Sequence, residues 1–219
     1  MTEADAASLA LGLERIGLEL PAPVVARLER FSELLLERAV PLGMVGRGDA
    51  GRIVPRHVVD SLRPAPVIAE RGGVEVVDVG SGAGLPGIPL AIAMPEARFV
   101  LAEPRAKRAA LLELAVEVLD LANVDVHAGR AESLEPNRFT TATARAFAPL
   151  ETTWRVARLL LRPGGIAVVF AGSKETRAED IPGASSIEIL RSRRNPVGAA
   201  SSASGLLATD GSLVIITAK

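Results

Sequence analysis

A glycine-rich segment directly after an apolar run places the tightest limits on how this chain can fold. Residues 76–92 read VVDVGSGAGLPGIPLAI, with four glycines between a β-branched run and a second apolar stretch. Because glycine has no Cβ, it adopts left-handed backbone conformations and lets other atoms approach the main chain closely. The segment therefore predicts a strand, a tight turn and a helix whose first N–H groups face a ligand.

Strand and helix patterns alternate on the carboxyl side of this segment. Apolar runs typical of buried parallel strands occur at residues 74–79, 98–103, 124–129, 140–148 and 166–172. Helical patterns fall between them at residues 107–121 and 151–161, and two more strand patterns follow at 186–192 and 212–219. This alternation predicts an α/β fold with a doubly wound, mostly parallel sheet.

The first 72 residues have helical patterns of a different kind. Apolar residues recur at helical spacing in two stretches between residues 5 and 40. Asp49 stands where it could cap a third helix, although Pro55 restricts where that helix begins. We predict an N-terminal helical extension, residues 1–72, packed on a ligand-binding domain formed by residues 73–219.

Three ligand classes fit a glycine turn after a strand: a dinucleotide, a nucleoside triphosphate and S-adenosylmethionine. No Lys-Ser/Thr pair closes the turn, which argues against a triphosphate. Asp78 precedes Gly80 by two residues, and a carboxylate there suits the amine-bearing end of S-adenosylmethionine and would repel a pyrophosphate. The sequence after Gly172 is too short for a second nucleotide-binding half, which also argues against a dinucleotide.

Glu103 ends the next predicted strand. A carboxylate at this position can accept both hydroxyls of a ribose, whether in a dinucleotide or in S-adenosylmethionine. It could also be an ordinary surface acid. Glu103 thus supports a ribose without choosing the cofactor.

Composition excludes several other chemistries. The chain has no cysteine, which rules out disulfides, cysteine-ligated metals and a cysteine nucleophile, and its two histidines argue against a histidine-rich metal site. The formal net charge of −1 gives no global attraction for nucleic acid. No apolar run is long enough to span a bilayer, and acids stand where a signal peptide needs basic residues. We expect a cytoplasmic protein with no membrane partner.

Five segments occur in the order and spacing of the bacterial RsmG/GidB family: RHVVDSL (56–62), VVDVGSGAGLPGIPLAI (76–92), EPRAKR (103–108), GRAESL (129–134) and ARAFAPL (144–150). The chain resembles that family over roughly residues 45–172. Family members methylate N7 of a guanine in 16S rRNA. The resemblance implies a Rossmann-like class I methyltransferase sheet, mostly parallel with an antiparallel C-terminal strand. It also implies S-adenosylmethionine as cofactor and 16S rRNA or the small ribosomal subunit as partner. We expect a monomer without a metal site.

The same resemblance implies roles for individual residues. Gly80, Gly82 and Leu85 would line the cofactor beside Asp78, and Glu103 would take the ribose. Ala131 and Glu132 would lie near the adenine. Arg145 would face the cofactor and the incoming base as an orienting residue. Our candidates for RNA binding are Arg56, His57, Arg130, Phe147 and Lys174.

Reasoning from the residues leaves several of these roles open. Arg145 could bind a guanine edge, a phosphate, a cofactor carboxylate or an acid at the strand end. Phe147 could stack on a flipped base or pack in the core. Arg56 and His57 could contact RNA or pack against the cofactor domain. Ala171 and Gly172 replace the Lys-Gly pair that most family members carry at the end of the fifth strand.

The chemistry of guanine N7 agrees with what the sequence lacks. N7 has a free lone pair and no proton, so methyl transfer needs alignment and no general base. Methylation of cytosine C5 requires a cysteine, and the Asp/Asn-Pro-Pro-aromatic motif of exocyclic-amine methyltransferases is missing. Two alternatives remain: a small-molecule methyltransferase on the same fold, and a non-catalytic RNA- or ribosome-binding protein with a relic cofactor pocket.

Overall fold

The N-terminal helices begin and end at recognisable capping residues. The computed structural model describes residues 2–171, 181–191 and 211–219. Helix α1 (Glu3–Ile16) starts with a capping box between Thr2 and Asp5 and ends at Gly17, whose φ is 67°. Helix α2 (Ala22–Leu34) continues as a π-helical turn, Leu35–Ala39. The two predicted N-terminal helices are confirmed.

The third predicted helix is irregular. It consists of a 3-10 turn (Arg47–Arg52), a π-helical turn (Ile53–Val59) and the short helix α3 (Asp60–Leu62), before helix α4 (Ala65–Glu70). Gly46 precedes the 3-10 turn as its N-cap, so the prediction that Asp49 caps a helix is wrong. Pro55 lies inside the π-helical turn, where its missing N–H prevents regular α-helical hydrogen bonding.

From residue 75 onward, strands and helices follow the predicted alternation. The strands are β1 (Glu75–Val79), β2 (Arg98–Ala102), β3 (Val124–His127), β4 (Phe139–Arg145), β5 (Leu161–Ala171), β6 (Ala184–Arg191) and β7 (Ser212–Ala218). The helices between them are α5 (Gly87–Ala93), α6 (Ala106–Val118) and α7 (Leu150–Leu160).

The seven strands form one sheet in the order β3-β2-β1-β4-β5-β7-β6. The first five are parallel neighbours, and β7 inserts antiparallel between β5 and β6. The predicted mostly parallel sheet with an antiparallel C-terminal strand is confirmed. Because β1 lies between β2 and β4, the chain reverses its direction of winding there. Ligands of such sheets bind in the crevice at the carboxyl ends of these strands.

Both faces of the sheet are covered. On one face, α1, α2, α5 and α6 share a buried apolar cluster with side chains of the strands, including Phe31, Ile88 and Phe99. On the other face, α7 buries Trp154 against the sheet. The predicted boundary between residues 72 and 73 stays a prediction. None of the helices in the described residues combines the length and apolarity needed to cross a membrane.

Candidate functional site

The glycine turn lies between β1 and α5, at the carboxyl end of the sheet. Gly80, Gly82 and Gly84 have φ values of 72°, 59° and 90°, which residues with a Cβ rarely adopt. The N–H groups of Gly80 and Ser81 both donate to the carbonyl of Ala102, at 2.9 and 3.1 Å. The turn is therefore held against the end of β2.

Asp78 joins the turn to the two central strands. Its side chain is buried, with Oδ2 accepting from the Gly87 N–H at 3.2 Å and Oδ1 accepting from the Thr143 hydroxyl at 2.9 Å. Burial raises the pKa of Asp78 to about 6, although its hydrogen bonds and the nearby Arg145 oppose the rise. The carboxylate thus supports the turn from behind, with each oxygen accepting from a protein donor.

The raised pKa of Asp78 predicts a specific pH dependence of stability. The folded pKa of about 6 exceeds the ordinary 3.8. The contribution of Asp78 to stability is therefore complete below about pH 4. Up to about 3 kcal/mol of unfolding free energy is lost as the pH rises from there through 6. In Asp78→Asn this loss should vanish because an amide does not titrate in this range. The variant should still fold, since the amide can donate to Thr143 and accept from Gly87. Urea unfolding of the wild type and Asp78→Asn between pH 4 and 8 measures this loss. If the unfolding free energies of the two proteins changed in parallel with pH, the prediction would be contradicted.

Glu103 lies beside the turn, one residue beyond β2. It is only 3% exposed, which excludes the simple surface acid. Its Oε2 accepts from the Gly82 N–H and its Oε1 from the Arg105 N–H, both at 3.0 Å. The Arg108 guanidinium is 3.9 Å from Oε2. Each carboxylate oxygen has two acceptor positions, so Glu103 keeps capacity for two further donors.

The main chain at Gly82 is open for close approach. A Cβ placed on Gly82 would have no neighbour nearer than 3.8 Å. Leu85, on the same turn, is half-buried and donates its N–H to the Ser81 carbonyl at 3.1 Å. The open glycine next to a buried carboxylate fits a ribose-bearing ligand that lies against the turn.

Ala131 and Glu132 lie beyond the end of β3, in the 3-10 turn Ala131–Ser133. Ala131 is buried and Glu132 is exposed, while Arg130 precedes the turn and is exposed. The Ser133 hydroxyl donates to the Arg130 carbonyl at 2.7 Å and contacts His127 Nε2 at 2.9 Å. Sequence reasoning did not single out this His127–Ser133 contact, although their spacing of six residues across a strand end was visible.

Arg145 ends β4 and points into the N-terminal region. One guanidinium nitrogen donates to the His57 carbonyl (3.4 Å) and the Ser61 hydroxyl (3.2 Å). The other donates to the Arg56 carbonyl (3.1 Å) and contacts His57 Nδ1 (3.2 Å). It also lies 3.5 Å from Asp60 Oδ2. The sequence left four partners open for Arg145: a guanine edge, a phosphate, a cofactor carboxylate or an acid at the strand end. In the structure it binds an acid near the strand end, together with backbone carbonyls.

The contact with Arg145 defines the protonation of His57. Arginine only donates hydrogen bonds, so His57 Nδ1 must accept and its proton must sit on Nε2, 3.4 Å from Asp49 Oδ2. Burial lowers the pKa of His57, and the charge of Arg145 lowers it further, with Asp49 opposing. His57 is therefore a neutral acceptor for Arg145 at neutral pH.

The structure brings the Arg56–His57 pair to Arg145. The carbonyls of both residues bind Arg145, and the Arg56 guanidinium is half-exposed, 3.5 Å from Asp49. Sequence reasoning missed Asp60 and Ser61 as partners of Arg145. Their spacing of four residues from Arg56 and His57 places them on the same helical side and was a usable signal.

Phe147 lies in the loop after β4, against Gly80. The residue is 37% exposed, so Phe147 is not a core residue. Lys174 lies outside the described residues, as does Gly172, while Ala171 ends β5. Among the described residues, no three His, Asp or Glu side chains come together as a metal site would require.

Comparison with known proteins gives a consistent family match. A model of the GidB family, described as rRNA small subunit methyltransferase G, matches residues 24–189. The ribosomal RNA small subunit methyltransferase G of Frankia alni is 43% identical over 161 residues, which cover 71% of this chain and 61% of the relative. That of Methylococcus capsulatus is 38% identical over 184 residues, covering 83% and 88%. The chain thus spans less than two thirds of the length of the Frankia relative.

Solved structures show the same fold at low sequence identity. An O-methyltransferase of Bacillus cereus has a TM-score of 0.60 and 16% identity, covering 89% of this chain and 91% of its own. The O-methyltransferase TomG of Streptomyces achromogenes has a TM-score of 0.57 and 16% identity, covering 88% and 90%. The predicted Rossmann-like class I methyltransferase fold is confirmed.

Proposed function

Because this chain belongs to the GidB family of rRNA small subunit methyltransferases G, we propose that it transfers a methyl group from S-adenosylmethionine to N7 of a guanine in 16S rRNA. The observation that carries the proposal is the family match over residues 24–189, which includes the glycine turn, Glu103 and Arg145. We further propose that it acts on the small ribosomal subunit or its precursor, as a cytoplasmic monomer.

The described residues fit S-adenosylmethionine at the glycine turn. Gly82 and Leu85 would lie against the cofactor, and Glu103 would accept its ribose hydroxyls through the acceptor positions that Gly82 and Arg105 leave open. Ala131 and Glu132 would lie at the adenine. When bound, the cofactor supplies an electrophilic methyl group on a sulfonium.

The protein's own part in the reaction would be alignment. Guanine N7 carries no proton, and the buried Asp78 behind the turn accepts from Gly87 and Thr143. An in-line displacement needs no general base, and holding the two reactants in line supplies much of the rate. A reaction that needs alignment and no general base fits methylation of a ring nitrogen.

Replacement of Glu103 by alanine should weaken binding of S-adenosylhomocysteine by about 10- to 100-fold, since hydrogen bonds to a charged group contribute about 1.5–3 kcal/mol. Calorimetric titration measures the affinity, at a temperature where circular dichroism shows the variant folded. Glu113→Ala, an exposed acid on α6, is the matched control and should bind as the wild type does. Equal affinities of all three proteins would remove Glu103 from the cofactor site.

Methylation of ribosomal RNA tests the function directly. Small subunits from a strain that lacks this gene are incubated with the purified protein and S-adenosylmethionine, and N7-methylguanine is mapped by borohydride and aniline cleavage. We expect one new cleavage position in 16S rRNA, absent with Glu103→Ala. S-adenosylhomocysteine binding without rRNA methylation would favour a small-molecule methyltransferase. Loss of both would favour the non-catalytic alternative.

A further inference from the structure

The loop after β4 is held at both of its ends. On its amino side, Arg145 is fixed by the carbonyls and side chains of residues 56–61. On its carboxyl side, the buried Thr153 donates its hydroxyl to the Ala148 carbonyl at 3.0 Å and its N–H to the Pro149 carbonyl at 2.9 Å. Ala146 between them has a φ of 51°, a conformation that costs a residue with a Cβ about 1–2 kcal/mol. Strain of this kind persists where the surroundings enforce it, often at functional sites.

The strained loop presents Phe147 directly at the glycine turn. The ring occupies the space that a side chain on Gly80 would need, because a Cβ there would lie 2.5 Å from Phe147 Cδ2. The glycine at position 80 thus leaves room for the ring as well as allowing the turn. More than a third of Phe147 remains open to solvent at the carboxyl end of the sheet.

Phe147 differs in exposure from every other aromatic residue of the chain. All six aromatic side chains, five Phe and one Trp, lie within the described residues. Phe31, Phe99, Phe139 and Trp154 are buried at 2% exposure or less, and Phe170 is partly buried and lies 5.6 Å from the Arg145 guanidinium. Phe147 is therefore the most exposed aromatic side chain that this protein can offer to a ligand.

We propose that Phe147 is the stacking surface for the base that receives the methyl group. This inference rests on the proposed function, since it assumes an RNA base as acceptor. A base that leaves its helix loses its stacking neighbours. Stacking on an aromatic side chain compensates for this loss by about 1–3 kcal/mol. A ring beside Gly80 would stand next to the cofactor turn, where an acceptor must come to react. Phe147 would then position the base, while the glycine turn and Glu103 bind the cofactor.

Two substitutions at position 147 distinguish stacking by an aromatic ring from simple apolar packing over Gly80. Phe147→Leu keeps an apolar side chain over Gly80 but removes the π-face, so kcat/KM for small-subunit methylation should fall by about 5- to 100-fold. Phe147→Trp should retain most of the activity. The affinity for S-adenosylhomocysteine should stay within about threefold of the wild type in both variants. Leu159→Ala, which removes another exposed apolar side chain on α7, should leave both quantities unchanged.

A spectroscopic measurement tests the stacking without turnover. The native Trp154 is buried, so added fluorescence in Phe147→Trp reports the surface position, and a guanine-containing 16S rRNA fragment should quench it. Unchanged kcat/KM in Phe147→Leu, or weaker S-adenosylhomocysteine binding that accounts for the whole loss, would overturn the proposal. If the wild type itself methylates no 16S rRNA, the proposed function fails. In that case, quenching by the fragment would still support stacking of Phe147 on a base. No quenching would overturn the stacking proposal as well.

Discussion

Replacement of Gly87 by alanine should destabilise the folded protein by about 3 kcal/mol and abolish cofactor binding. A Cβ at this position would overlap Leu101 Cδ2 and lie 2.8 Å from Asp78 Oδ2 and 3.1 Å from Asp78 Cβ. Asp78 belongs to β1 and Leu101 to β2, and both side chains are buried. Neither strand can move away without disturbing the centre of the sheet.

Urea unfolding and S-adenosylhomocysteine titration measure the two effects of Gly87→Ala. The matched control is Gly48→Ala, where a new Cβ would meet no atom within 4 Å, so stability should stay within about 0.5 kcal/mol. Gly82→Ala provides a second comparison. Its φ of 59° adds strain of about 1–2 kcal/mol, but the space is open, so the protein should fold and bind the cofactor poorly. A Gly87→Ala variant as stable as Gly48→Ala would refute the packing argument.

Replacement of Arg145 by alanine should lower the free energy of unfolding by about 3 kcal/mol, because it removes a mostly buried charge and leaves its acceptors without this donor. The Arg56 carbonyl would lose this donor, whereas the His57 carbonyl would keep the Ser61 hydroxyl at 2.6 Å and Asp60 would keep Arg63 at 2.8 Å. Arg145→Lys should recover little of the loss. A single ammonium group cannot reach acceptors spread across the two guanidinium nitrogens.

Hydrogen exchange locates the effect of Arg145→Ala. Amides of residues 53–62 should lose protection more than those of the central strands, since Arg145 at the end of β4 donates hydrogen bonds to this segment. Arg155→Ala, an exposed arginine on α7, is the control and should change neither stability nor exchange. If Arg145→Ala had the stability and hydrogen exchange of the wild type, the structural role of Arg145 would be contradicted. A role of Arg145 in activity would then be the remaining explanation.

The parts of the site that lie within one stretch of sequence were predictable. The left-handed glycines, the position of Asp78 and the carboxylate of Glu103 follow from a strand, a turn and the next strand end, each visible in neighbouring residues. The direction of Asp78 was not predictable. Its expected exposure to the ligand's amine became hydrogen bonds to Gly87 and Thr143, because Thr143 comes from β4, which pairs with β1 across 65 residues.

By itself, the sequence determined the doubly wound α/β fold, the glycine turn and the family, because periodicity and turn chemistry are encoded over a few adjacent residues. Only the tertiary structure decided what Arg145 and Phe147 contact. The partners of Arg145 lie 84 to 89 positions away, and their meeting depends on how the N-terminal helices pack on the sheet. The position of Phe147 against the glycine turn depends on the missing side chain of Gly80 and on the strained Ala146. No local pattern records such contacts, since packing between distant segments creates them.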